Sequence, residues 1–152
     1  MTVRGLLHIE IVHPDPDAAA AFMCDTLGGK LVEQRLSTSL EKMAEGLRVV
    51  HVEVGGVVFQ FVRPVKESES WTSDLAERGP CVHNVTFNVD GIDATREALA
   101  AAGAKEIMTM EAPMGALSDA PVNRVYVMDA REQSGLRFEI IDAPRWIAGK
   151  AP

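Results

Sequence analysis

Four polar side chains interrupt segments that are otherwise apolar and strand-like: His8, Gln60, His83 and Glu139. Leaving such a group buried and unpaired costs a few kcal/mol, on the order of 2–7. Two imidazoles, an amide oxygen and a carboxylate gathered around one cation would remove that cost. This N2O2 set suits Zn2+, Co2+, Ni2+, Mn2+ or Fe2+, with geometry rather than softness selecting among them. Residues two apart on a strand share a face, so Glu10 belongs with His8, and Arg137 with Glu139. Glu10 thereby becomes a candidate carboxylate beside the ion. Arg137 could meet a substrate carboxylate, a surface salt bridge being its alternative.

The elements that must carry these residues repeat. Leu7-His8-Ile9-Glu10-Ile11-Val12 lies beside Val82-His83-Asn84-Val85-Thr86-Phe87 in a self-comparison. Each run is followed by an acidic turn, Asp15-Pro16-Asp17 or Asp90-Gly91-Ile92-Asp93, whose carboxylates can cap a helix. An alanine-rich helix follows in both places, about Ala18 to Leu27 and about Ala94 to Ala102. Gly28 and Gly103 stop them by supplying left-handed backbone. Each half closes on a related strand, Gly56 to Pro64 and Gly135 to Pro144, preceded by a β-branched strand, Arg48 to Val54 and Arg124 to Met128. The offset is 75 between the two histidines and 79 between Gln60 and Glu139. His13 is expected at the surface of the first turn. Met108, Met110 and Met114 are expected in a loop from Thr109 to Val122 long enough to act as a lid.

The domain reading is a single domain over 1–152, with modules at about 5–64 and 81–144. A polar linker at about 65–80 holds a short helix near Trp71 to Arg78, and a tail covers 145–152. Neither module alone is large enough to be comfortably stable.

Composition narrows the partners. The chain has 152 residues, 47 % hydrophobic and 24 % charged, with 15 Lys+Arg against 22 Asp+Glu and a net charge of −7. An acidic chain without a basic cluster is poorly suited to nucleic acid or an anionic membrane surface. No apolar run reaches membrane-spanning length, no secretory signal is legible, and Cys24 and Cys81 are read as reduced, buried thiols. The expected compartment is cytoplasmic. There is no phosphate loop, no dinucleotide fingerprint and no Ser or Cys nucleophile arrangement.

The duplicated pattern resembles the vicinal oxygen chelate (glyoxalase/bleomycin resistance/dioxygenase) superfamily, and within it methylmalonyl-CoA epimerase. The likeness rests on Leu7-His8-Ile9, the helix from Ala18 to Gly28, Leu75 to His83, Val89 to Ala94 and Phe138-Glu139-Ile140. It implies an α+β fold of two βαβββ modules forming a cupped, mostly antiparallel sheet with helices on the outer face. It also places the four metal ligands on His8, Gln60, His83 and Glu139, and lets Glu139 serve as ligand and base. The implied function is a divalent-metal-dependent epimerase or isomerase. It would remove an α-proton beside a metal-chelated carbonyl of a 2-substituted acyl-CoA such as methylmalonyl-CoA.

The chain departs from that pattern in three places. Val49 stands where many of these epimerases have glutamate, Asp129-Ala130-Arg131 where they have His-Pro-Lys, and His83-Asn84 where they have His-His. If Val49 faces the cup, so does His51, whose residue type titrates near neutrality. Glu139, His51 and Glu10 are therefore the candidate catalytic residues. A glyoxalase-like lyase, an iron-dependent dioxygenase and a small-molecule-sequestering resistance protein are the alternatives. The superfamily's habits and the open sheet edges imply a homodimer.

Overall fold

Asp15 begins the first helix by accepting the Ala18 amide at 3.1 Å, and Gly28 ends it at φ +69°. The next residue, Gly29, runs so close to β-structure that a Cβ there would lie 2.7 Å from Val52 Cγ1. The computed structural model describes residues 2–32, 41, 44–65, 69–112 and 123–143. In chain order these form β1 (Thr2–Val12), α1 (Pro16–Leu27), β2 (Lys30–Val32), β3 (Arg48–Val54), β4 (Val57–Arg63), α2 (Ser70–Arg78), β5 (Cys81–Asp90), α3 (Ile92–Ala101), β6 (Lys105–Ala112), β7 (Asn123–Ala130), α4 (Arg131–Ser134) and β8 (Leu136–Ile141). The class is α+β, and each half carries the expected strand, helix and three further strands.

The chain divides into two compact units. One holds the described residues between 8 and 83; the other combines residues 2–7 with the described residues between 84 and 143. Within the first, the strand order is β2-β3-β4-β1. β1 runs parallel to β4 with Glu10 opposite Gln60, and β3 runs antiparallel to β4 with His51 opposite Gln60. One face of this sheet is apolar: Val50, Val52 and Phe61 pack with Ala20 and Met23 of α1. Alternation sends Val49 and His51 to the other face.

The second unit repeats the plan as β5-β8-β7-β6, with β5 parallel to β8 and Thr86 opposite Glu139. Its apolar face joins Val89, Tyr126, Met128 and Ile140 with Phe87 and Leu99. Arg4 secures the chain's start to this unit, reaching Asp142 Oδ1 at 2.6 Å and the Val89 carbonyl at 3.0 Å.

Several local expectations are corrected. Met108, Thr109 and Met110, expected in a loop, instead lie in β6 against β7; Met114 and residues 113–122 of the expected loop lie outside the described residues, as does the tail. The second helix starts at Ile92, and Asp93 in its first turn accepts a hydrogen bond from Tyr126 Oη. His13 is half-buried against Phe61, its Nδ1 accepting the Asp15 amide at 2.9 Å. Cys24 and Cys81 are free thiols, but only half-buried. Arg137 is buried rather than superficial, with Asp129 3.9 Å away. No helix among the described residues is long and apolar enough to cross a membrane.

Candidate functional site

The polar face of the first unit collects most of the chemistry. His8, Glu10, His51 and Gln60 are each no more than 2 % exposed. They share one face because β1 and β3 flank β4 in a register that aligns Glu10 and His51 with Gln60. The His8 and His51 rings meet edge-on, 5.5 Å between centroids. Burial pushes His8 well below the ordinary imidazole value, and the neighbouring His51 adds to the shift. Burial likewise lowers His51 to about 4, with Gln60 opposing it in part. His51 is therefore neutral at pH 7 and does not titrate near neutrality as its residue type suggested.

Glu10 is held from a direction the sequence did not reveal. Its Oε1 accepts from Trp71 Nε1 and lies 3.1 Å from His83 Nδ1. The other nitrogen of that imidazole, Nε2, is 2.7 Å from Ser70 Oγ. Ser70 and Trp71 open α2, and the Trp71 ring packs against His83 at 5.6 Å. Both ring nitrogens of His83 are thus engaged.

In the second unit Glu139 is 4 % exposed on the face opposite the apolar core. Thr86 Oγ1 lies 3.2 Å from Glu139 Oε1 and 3.1 Å from Asn84 Oδ1, so its one proton serves either acceptor. Alternation along β5 groups Asn84 and Thr86 with Glu139, whereas His83 has the parity of Phe87 and Val89. The two registers match the halves residue by residue. Glu10 opposite Gln60 corresponds to Thr86 opposite Glu139, so His8 corresponds to Asn84. The second histidine of the sequence pattern is one residue away from that place.

The donors can be tested against a divalent ion. Gln60 Oε1 is a buried acceptor beside the His51 imidazole, and an amide oxygen of this kind can serve as a ligand. His8 stands on the same face, kept neutral by its surroundings, which is the form that ligates metals. His83 fits less well, because its Nδ1 faces Glu10 and its Nε2 faces Ser70. Among the described residues no three His, Cys, Asp or Glu side chains form a ready cluster. The amide oxygen of Gln60 is a further donor that this face offers an ion.

Residues 7–120 match the Glyoxalase/Bleomycin resistance protein/Dioxygenase superfamily, and the chain belongs to it. The chain is 27 % identical over 116 residues to an ethylmalonyl-CoA/methylmalonyl-CoA epimerase from Cereibacter sphaeroides, a match covering 75 % of this chain and 82 % of that protein. Its fold is similar to the crystal structure of methylmalonyl-CoA epimerase from Mycobacterium tuberculosis, with a TM-score of 0.66 and 24 % identity, over 99 % of this chain and 90 % of the other. A methylmalonyl-CoA epimerase in complex with methylmalonyl-CoA and NH4+ is similar at a TM-score of 0.68 and 19 % identity, over 99 % and 100 % of the two chains.

Proposed function

We propose that this protein is an epimerase that exchanges the α-proton of a 2-substituted acyl-CoA thioester such as methylmalonyl-CoA. The observation that carries the reading is the buried polar face of the first unit, where a carboxylate, two neutralised imidazoles and a buried amide oxygen stand together. The likeness to a methylmalonyl-CoA epimerase supplies the substrate class.

His8 and Gln60 are the donors this unit offers a divalent ion, and Glu139 is the donor retained from the other. Co2+, Zn2+, Ni2+, Mn2+ and Fe2+ all suit them. When bound, such an ion supplies Lewis-acid stabilisation of the charge left on a carbonyl oxygen after a proton departs. Glu10 is the base of this reading, and its carboxylate takes the α-proton. His51, neutral at pH 7, donates an N–H hydrogen bond to the developing oxyanion, a role that a depressed imidazole pKa favours. Glu139 is the carboxylate that the family resemblance makes both ion ligand and base. A small-molecule substrate, a homodimer and a cytoplasmic setting complete the proposal.

The test starts with protein loaded in turn with each ion and given a single epimer of methylmalonyl-CoA. The optical activity of the acyl group should decay to that of the equilibrium mixture. Metal analysis of His8→Ala and Glu139→Ala should find the ion lost from both variants. Retention of optical activity with every ion refutes the reading; retention of metal by either variant removes that residue from the ligand set.

A further inference from the structure

Resting on the reading of Glu10 as the base, we infer that Trp71, His83 and Ser70 are its positioning residues, and that His83 acts on this carboxylate rather than on a metal ion. A base must be ionised, and an ionised carboxylate only accepts hydrogen bonds. The 3.1 Å contact between Glu10 Oε1 and His83 Nδ1 therefore puts the imidazole proton on Nδ1. In this Nδ1–H tautomer Nε2 accepts, and Ser70 Oγ, 2.7 Å away, donates to it. The chain of donors runs Ser70 to His83 to Glu10, and the Trp71 indole donates to the same oxygen from a second direction.

The consequences are geometric. Two N–H donors converge on Oε1, which fixes the carboxylate plane and leaves Oε2 as the oxygen whose basicity those donors reduce least. Glu10 and His83 are each no more than 2 % exposed, so water does not compete for these bonds. The donors come from the opening turn of α2 and the first residues of β5, a segment otherwise legible only as a polar connector. The same network accounts for a His that is buried, fully engaged and out of phase with Glu139 on its own strand. A buried imidazole whose tautomer is set by a hydroxyl on one side and a carboxylate on the other is an orienting group, as in other sites where a third residue fixes a histidine.

The test uses the full chain loaded with metal. Trp71→Phe removes one N–H and keeps an aromatic ring; it should lower kcat by about 10-fold or more, the order seen when an orienting partner is lost, with KM unchanged. His83→Ala should lower kcat similarly while the bound metal, read by elemental analysis, stays at the wild-type level. His83→Asn, which keeps an amide N–H near the Nδ1 position, should recover part of the loss. Metal lost from His83→Ala, or an unchanged kcat in Trp71→Phe, overturns the assignment. Nitrogen NMR of labelled histidine gives an answer that does not depend on turnover. It should find His83 as the Nδ1–H tautomer and find that tautomer relaxed in Ser70→Ala; an Nε2–H tautomer in the wild type overturns the proposal. A wild-type protein with no epimerase activity but the expected tautomer refutes the role of Glu10 and leaves the network standing.

Discussion

Lowering the pH should destabilise the metal-free protein, and His51 contributes a share that can be worked out. Burial lowers this group from 6.5 to about 4 in the fold, while the unfolded chain keeps the ordinary value. Its contribution is therefore intact above 6.5 and is lost as the pH falls through that value toward 4, because the unfolded chain binds the proton first. At about pH 5 the unfolded imidazole is almost wholly protonated and the folded one only about a tenth. The difference relative to about pH 7 is about 2 kcal/mol, growing to about 3 kcal/mol near pH 4. His8 shifts in the same direction and adds to the loss. The assay is urea unfolding with a chelator present, since a bound ion would itself hold the imidazoles unprotonated. With an m-value of about 2 kcal/mol/M, the midpoint should fall by about 1 M between those pH values. His51→Leu should remove about that share of the dependence. A midpoint independent of pH, or a His51→Leu slope equal to the wild type, would refute the buried-neutral assignment.

Gln60→Leu should destabilise the metal-free protein by about 1 kcal/mol, because it removes the amide that hydrogen-bonds the buried His51 imidazole. The same variant should bind the divalent ion more weakly, and paired denaturation and metal titrations would read the two losses. Asn88→Ala should cost about 2–4 kcal/mol in urea unfolding, since Asn88 clamps both the Ala143 carbonyl at 2.8 Å and its amide at 3.0 Å in a buried setting.

The duplication, both main helices and the residues of the first unit's polar face were legible in the sequence. Alternation and capping chemistry are local, and His8, Glu10 and Gln60 sit in strands with a clear apolar background. The register of the repeat was harder. Matching His8 with His83 by type gave an offset of 75, whereas the pairing of Thr86 with Glu139 makes Asn84 the counterpart of His8. A one-residue slip sends every side chain of a strand to the other face, so residue type misleads where strand pairing decides. The depressed pKa of His51 was equally illegible, being a consequence of burial. Ser70 and Trp71 were missed because the run Lys66-Glu67-Ser68-Glu69-Ser70 reads as a solvated connector. The one available signal was the indole itself, a ring whose N–H usually finds a partner when buried. β6 read partly as loop because its residues are mostly exposed or half-buried, which weakens the apolar alternation.

The central claim is that carbon acid chemistry takes place here, and proton NMR of methylmalonyl-CoA in heavy water tests it most directly. Protein reconstituted with Co2+, Zn2+, Ni2+, Mn2+ or Fe2+ should erase the α-proton signal and place deuterium at that carbon alone, faster than the uncatalysed exchange. An α-proton that persists with every ion, in protein that is folded and has bound the metal, would contradict the account.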